Sequence, residues 1–183
     1  MWYEKAYINI LNITSKGLEN FMMCKKISFT ISFIVLLFSF IGTTSYAMMD
    51  IGGRQANLSS YIGKGKWTIV EAWHSRCGVC MKTMPELVKA RGTFPNARLI
   101  GVSLDGNRQV ALKILKRFNV NFPTLITNTR EFDRFVRRVS RRPLRGAPTY
   151  LIFSPSGQLK AMQAGNITPK SIRSYIAQQQ RHK

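Results

Sequence analysis

Cys77 and Cys80 stand two residues apart in EAWHSRCGVCMKTMPEL, 71–87. That spacing serves two chemistries. Two thiols one helical turn apart can open and close a disulfide, and two thiolates can supply half of a metal site. Ligand counting weighs against the second. The third cysteine is Cys24, and after Cys80 the only histidine is His182. A four-ligand structural zinc needs a second cysteine or histidine pair, so counting argues against one within a single chain and leaves a site shared across a dimer as the alternative.

The elements that position these cysteines are readable from the pattern. WTIVEAW, 67–73, is a short apolar, β-branched run and predicts a buried strand. After Cys80, Met81, Met84, Leu87 and Val88 recur at the helical period. Pro85 falls inside that run and is expected to interrupt and kink the helix. Strands are predicted at 97–105 and 122–127, and helices at 108–118 and 130–139. A hairpin is predicted at 149–165 around Pro-Ser-Gly, and a last helix after Thr168, with Pro169 at its first position. Residues 50–66 read as turn, with Gly52-Gly53 and GKGK. Alternating strands and helices imply an α/β layer structure.

An address precedes the domain. Lys25 and Lys26 lead an apolar run, 27–42, that is short and Ser/Thr-containing for a membrane span. Ser45 and Ala47 are small residues where a signal peptidase reads. The expectation is an N-terminal extension and signal peptide at 1–47, cleaved after Ala47, and a domain at 48–183. Met22 or Met23 is an alternative start, and an uncleaved membrane anchor is the alternative to cleavage. Cys24 then leaves with the leader, so the exported chain keeps only the Cys77/Cys80 pair. Export to a compartment that permits disulfides points that pair to redox work.

These residues resemble a thioredoxin-fold protein, and more narrowly the exported TlpA/ResA-like branch of thiol-disulfide oxidoreductases. Trp73-x-x-x-Cys77-x-x-Cys80 is similar to the family's active-site stretch, and Pro85 sits where the family kinks its first active-site helix. GVSLDGN and FPTLITN resemble segments of that branch. RGAPTYLIFSPSG resembles the segment with the family's cis-proline, which makes that residue Pro148. Gly157 and Gly165 fall at the hairpin glycines. The resemblance implies a thioredoxin-like α/β fold: a central mixed β-sheet with helices on both faces. It departs from plain thioredoxins at three places. Arg76 replaces a tryptophan, Val79 replaces a proline, and Gly101 stands where they carry a lysine.

Within that resemblance each residue has a role. Cys77, at a helix N-terminus, is the thiolate nucleophile, because backbone N–H groups and the helix dipole favour its anion. Cys80 resolves the mixed disulfide. Glu71 matches a buried acid that exchanges protons with the second cysteine, and burial is expected to raise its pKa; the alternative is a solvated strand-end carboxylate. Arg76 favours the thiolate or sets which partners dock. His74 is read as an ordinary loop residue, and Val79 as a tuner of potential. Pro148 is expected cis, with the Ala147 backbone pairing with a substrate chain. Trp73 is assigned to substrate contact or to packing that shields the disulfide, and Phe153 to packing. No cofactor beyond the Cys77–Cys80 dithiol is implied.

Charge bears on partners. The chain has 28 Lys+Arg against 8 Asp+Glu, net +20, and such a field favours anionic partners. Arg130, Arg134, Arg137, Arg138, Arg141, Arg142 and Arg145 crowd one stretch, opposed by Glu131 and Asp133. It reads as a solvated face or as a docking surface for an acidic partner or anionic membrane. Export and the lack of interleaved aromatics argue against nucleic acid. The expected function is periplasmic or extracytoplasmic reduction of partner-protein disulfides, with a membrane or periplasmic thiol as electron donor. The alternatives are a disulfide oxidase or isomerase, a metal-handling protein, or a non-catalytic basic docking module.

Overall fold

The computed structural model describes residues 47–181. The apolar leader, Cys24 and His182 lie outside the described residues. Within them the order is β1 Met48–Asp50, β2 Gln55–Ala56, β3 Trp67–Trp73, α1 Gly78–Ala90, β4 Ala97–Ser103, α2 Arg108–Arg117, β5 Thr124–Ile126, α3 Thr129–Ser140, β6 Thr149–Phe153, β7 Leu159–Ala164 and α4 Pro169–Arg181. Short 3₁₀ turns occupy Leu58–Tyr61 and Arg91–Thr93.

The strands make one sheet in the order β2-β1-β5-β4-β3-β6-β7. β3, β4 and β5 run parallel, while β1 and β6 pair antiparallel to their neighbours. The sheet is therefore mixed. β3 is central and buried along its whole length, which is why it reads as a continuous apolar run instead of an alternating one.

Its side chains still alternate between two cores. Ile69 and Trp73 pack with Cys80, Met84 and Leu87 of α1, Ala111 and Leu115 of α2, and Ile172 and Ile176 of α4. Val70 and Ala72 pack with Leu58 and with Phe132, Phe135 and Val136 of α3. Helices thus cover both faces, three on one and one on the other. β3 and β4 are joined through α1, and β4 and β5 through α2, so these two parallel crossovers share a face.

Helix starts follow local chemistry. Asn107 accepts from the N–H groups of Gln109 and Val110, and Asn128 from that of Glu131. Thr168 Oγ1 accepts from Ser171 N–H at 3.1 Å, the N-cap its position predicts. Three expectations need correction. Residues 50–66 hold more than turns: β1 and β2 pair there, and Asp50 fastens the bend by accepting from Arg54 N–H (3.0 Å) and Arg54 Nε (2.9 Å). The interruption expected at Pro85 is absent, and the helix runs on from Gly78 to Ala90. Proline removes one backbone donor there, but Met84 and Leu87, both fully buried, hold the helix to the sheet across that gap. β5 is shorter than 122–127, since Pro123 has no N–H for the ladder.

Candidate active site

Cys77 is the N-cap of α1, with extended backbone before the first helical turn. Its Sγ accepts from the Cys80 N–H at 3.1 Å. A disulfide joins the two residues, whose Cα atoms lie 5.2 Å apart. Their exposure differs. Cys77 is half-buried at the surface, whereas Cys80 has no exposure. An incoming sulfur can therefore reach Cys77 and not Cys80. Once the pair is reduced, the helix N-terminus favours the anion at Cys77.

The Ala147–Pro148 peptide bond is cis, the isomer that the resemblance implies. It brings the Ala147 carbonyl oxygen to 3.3 Å from Cys77 Sγ. Gly146, at φ +128°, supplies a backbone angle that side-chain-bearing residues rarely adopt. Its carbonyl accepts from Thr149 Oγ1 at 2.6 Å, closing the turn. A groove of about 330 Å³ opens beside the disulfide, lined by His74, Arg76, Cys77, Leu104, Thr129, Gly146 and Ala147. Arg76 is exposed at its rim and Val79 is 44% exposed on the helix turn between the cysteines. Trp73 does not reach this groove. It is fully buried, with Nε1 unpartnered, so its part is packing beneath the centre and not substrate contact. Phe153 is likewise a core residue.

One residue that the sequence reading passed over holds the cysteine loop in place. Asp105 accepts from Ser75 N–H (3.1 Å), Ser75 Oγ (2.5 Å) and Ser103 Oγ (2.8 Å). His74 Nδ1 lies 3.2 Å from the same carboxylate and 3.1 Å from the Arg76 N–H that donates to it. That one nitrogen can serve a single neighbour at a time. The available signal was the segment GVSLDGN, but its aspartate meets Ser75 only across 30 positions of sequence.

Glu71 is fully buried in β3. Alternation puts it on the side of Ile69 and Trp73, the face that α1 and Cys80 cover. The solvated strand-end alternative is thereby excluded. Its Oε1 accepts a long 3.4 Å bond from the Tyr150 hydroxyl, and Oε2 has no partner. Burial pushes its pKa up to about 8, and the Tyr150 bond opposes that rise. Burial also raises the Tyr150 hydroxyl, with the Glu71 charge adding to the effect.

Gly101 explains why Glu71 has no cation. It lies opposite Glu71 in the β3–β4 register. A Cβ there would stand 2.8 Å from Thr124 Oγ1 and 3.1 Å from a Phe122 ring carbon. The space that plain thioredoxins give to a lysine is filled by Thr124 of β5 and by Phe122 just ahead of that strand. Gly101→Ala should cost about 1–3 kcal/mol by overpacking, read as a lower urea midpoint with the disulfide intact. An unchanged midpoint would show that Thr124 and Phe122 yield freely.

Among the described residues, no group of three or more His, Cys, Asp and Glu side chains is placed to hold a metal ion. An accessible cysteine capping a helix, its buried partner one turn on, and a cis-proline turn against them make a disulfide centre on the thioredoxin fold of thiol-disulfide oxidoreductases. The chain belongs to the AhpC/TSA family, whose model matches residues 43–162.

Solved structures agree on the fold. A thiol:disulfide interchange protein of the thioredoxin family from Chlorobium tepidum TLS is 18% identical, with a TM-score of 0.59 over 75% of this chain and 96% of that one. StoA from Bacillus subtilis is 19% identical, with a TM-score of 0.54 over 73% and 99%. A secreted disulfide oxidoreductase of Mycobacterium tuberculosis is 14% identical, with a TM-score of 0.56 over 71% and 92%. No curated protein matches the chain in sequence.

Proposed function

We propose that this is an exported thiol-disulfide oxidoreductase that reduces disulfides of partner proteins. The observation that carries the reading is the unequal exposure of Cys77 and Cys80 at a helix N-terminus facing the Ala147 carbonyl. In the reduced protein, the Cys77 thiolate attacks one sulfur of a partner disulfide. A mixed disulfide forms, and the partner's other sulfur leaves as a thiolate. Cys80 then loses its proton and attacks Cys77 Sγ. That step releases the second partner sulfur and closes the Cys77–Cys80 bridge. Two electrons pass to the partner, and an extracytoplasmic thiol donor restores the dithiol.

Glu71 is the proton acceptor for Cys80 in this scheme. Its buried position on the α1 face and its raised pKa suit an acceptor working near neutral pH. Ala147 offers its backbone to the partner chain, and Arg76 supplies positive charge at the groove rim. Export rests on the leader, with cleavage after Ala47. β1 begins at Met48, one residue beyond that cut, and a relative of the same fold is described as secreted. Among the described residues no helix is long and apolar enough to cross a membrane. N-terminal sequencing of exported material should begin at Met48; residues before it would reject the cut.

Direction follows from the reduction potential. A reductase should lie near thioredoxin's value of about −270 mV, and a strong oxidase near about −120 mV. Equilibration of Cys77–Cys80 against glutathione and dithiothreitol buffers measures it. A value at the oxidising end would overturn the reductase reading and favour oxidation of partner thiols.

A further inference from the structure

The edge of the sheet nearest the disulfide carries a second built surface. β7 pairs with β6 on one side only and is the last strand in the sheet. The Gly165 N–H donates to Pro148 O at 2.8 Å. With a two-residue period, Gln163 and Ala161 then direct their peptide groups to β6. The N–H and C=O of Met162 and Ala164 face outward. Such an edge is a template for an added strand.

This edge lies in a trough. One hollow of about 510 Å³ is lined by Arg142, Pro143, Arg145 and β7 residues Met162, Gln163 and Ala164. A second, of about 180 Å³, continues along Leu159–Met162 and shares Arg142. The opposite wall is the segment that follows α3, and it is pinned. Leu144 N–H donates to Asp133 Oδ1 at 2.7 Å, and Ser140 Oγ accepts from Arg142 N–H at 3.1 Å. The trough is strongly basic. Arg142, Arg145 and Lys160 are exposed in it, and no acid lines it. The two acids of α3 are engaged by arginines of that helix, Glu131 by Arg134 and Asp133 by Arg137. The trough also ends beside the disulfide centre, since Ala164 pairs with Thr149, the residue after cis-Pro148.

We propose that the β7 edge and its Arg142–Arg145 wall bind an extended acidic segment of the substrate protein as an added strand. Main-chain bonds to Met162 and Ala164 hold the segment. Its carboxylates pair with Arg142 and Arg145, and its disulfide is delivered past Gly146 to Cys77. This rests on the oxidoreductase reading and adds a substrate class: proteins whose reactive cysteine follows or precedes an acidic, extended stretch. A trough with outward peptide groups favours a peptide over a lipid surface, which has no strand to add.

The test uses fluorescein-labelled decapeptides of alternating Glu and Thr, without cysteine, and the exported protein as isolated, with its disulfide intact. Fluorescence anisotropy should show binding that weakens with salt. The Lys-Thr peptide should not bind. Arg142→Ser with Arg145→Ser should weaken binding by about tenfold or more, because each lost charge-assisted bond is a strong one. N-methylation of alternate peptide nitrogens should weaken it similarly by removing strand pairing. Hydrogen exchange at the Met162 and Ala164 amides should slow in the complex. The proposal is overturned if the N-methylated peptide binds equally, if the double variant binds like the parent, or if protection falls outside β7. Binding to anionic vesicles but not to the peptide would overturn it in favour of a membrane surface. Reduction of a small neutral disulfide by the reduced wild-type protein tests the parent reading separately. Turnover without peptide binding sinks the groove alone, and peptide binding without turnover sinks the oxidoreductase alone.

Discussion

Cys80→Ser should trap the protein on its substrate. Cys77 keeps its helix N-terminus and its exposure, so the first exchange proceeds and a mixed disulfide forms. The second exchange needs a thiolate behind Cys77, and Cys80 is the described residue positioned one turn on to supply it. Multiple-turnover reduction of a protein disulfide should therefore fall by at least ~1000-fold, as when a nucleophile is removed from other enzymes. A dithiothreitol-sensitive adduct should accumulate stoichiometrically on non-reducing gels. Cys77→Ser should lose turnover equally and form no adduct, because Cys80 is buried. The contrast between the two serines carries the test. Equal adduct formation by both would contradict the assigned order of attack. No adduct with either variant, together with stoichiometric metal binding by the parent, would favour the metal-handling alternative.

Much of this site was legible because its parts are local. A strand of seven buried residues, a helix that starts at Cys77, and a hairpin turning at Gly157 each leave a short-range pattern. Pro148 needed the family resemblance, since nothing in its own neighbourhood announces a cis bond. What stayed hidden was assembled across the chain. Asp105 becomes an anchor only when β4 brings it beside Ser75. Gly101 means little until Thr124 and Phe122 are seen to fill the space above it. The arginine stretch looked uniform in sequence, but the fold divides it. Arg134 and Arg137 are paired on α3, whereas Arg142 and Arg145 overhang the β7 edge. The interruption expected at Pro85 fails for a different reason. Its local penalty is real, but tertiary contacts of the surrounding apolar face outweigh one missing hydrogen bond.

Glu71→Gln should change how stability depends on pH more than it changes stability at any one pH. In the unfolded chain a glutamate ionises near its ordinary value of 4.5, whereas in the fold burial holds its proton until about pH 8. Between those values the folded state binds more protons than the unfolded one, so stability falls as pH rises through the window. The contribution is fully present below pH 4.5 and is lost once pH passes 8. At about 1.4 kcal/mol per unit, the wild type should lose about 5 kcal/mol across the window. Asp50 and Asp133 do not mask this. Bonds from Arg54 and Arg137 hold both below their ordinary values, so they titrate on its acidic side. Glutamine does not ionise. Its buried amide costs about 1–3 kcal/mol if unpartnered, and that cost does not vary with pH. The Gln variant should therefore be the less stable protein near pH 5 and the more stable one near pH 9. Urea midpoints of the oxidised proteins from pH 4 to 9 should cross. Parallel curves would mean that Glu71 is hydrated or paired in the fold. The same substitution removes the acceptor assigned to Cys80. The rate at which the mixed disulfide resolves should then lose its pH dependence near 8, while the Cys77 attack keeps its own.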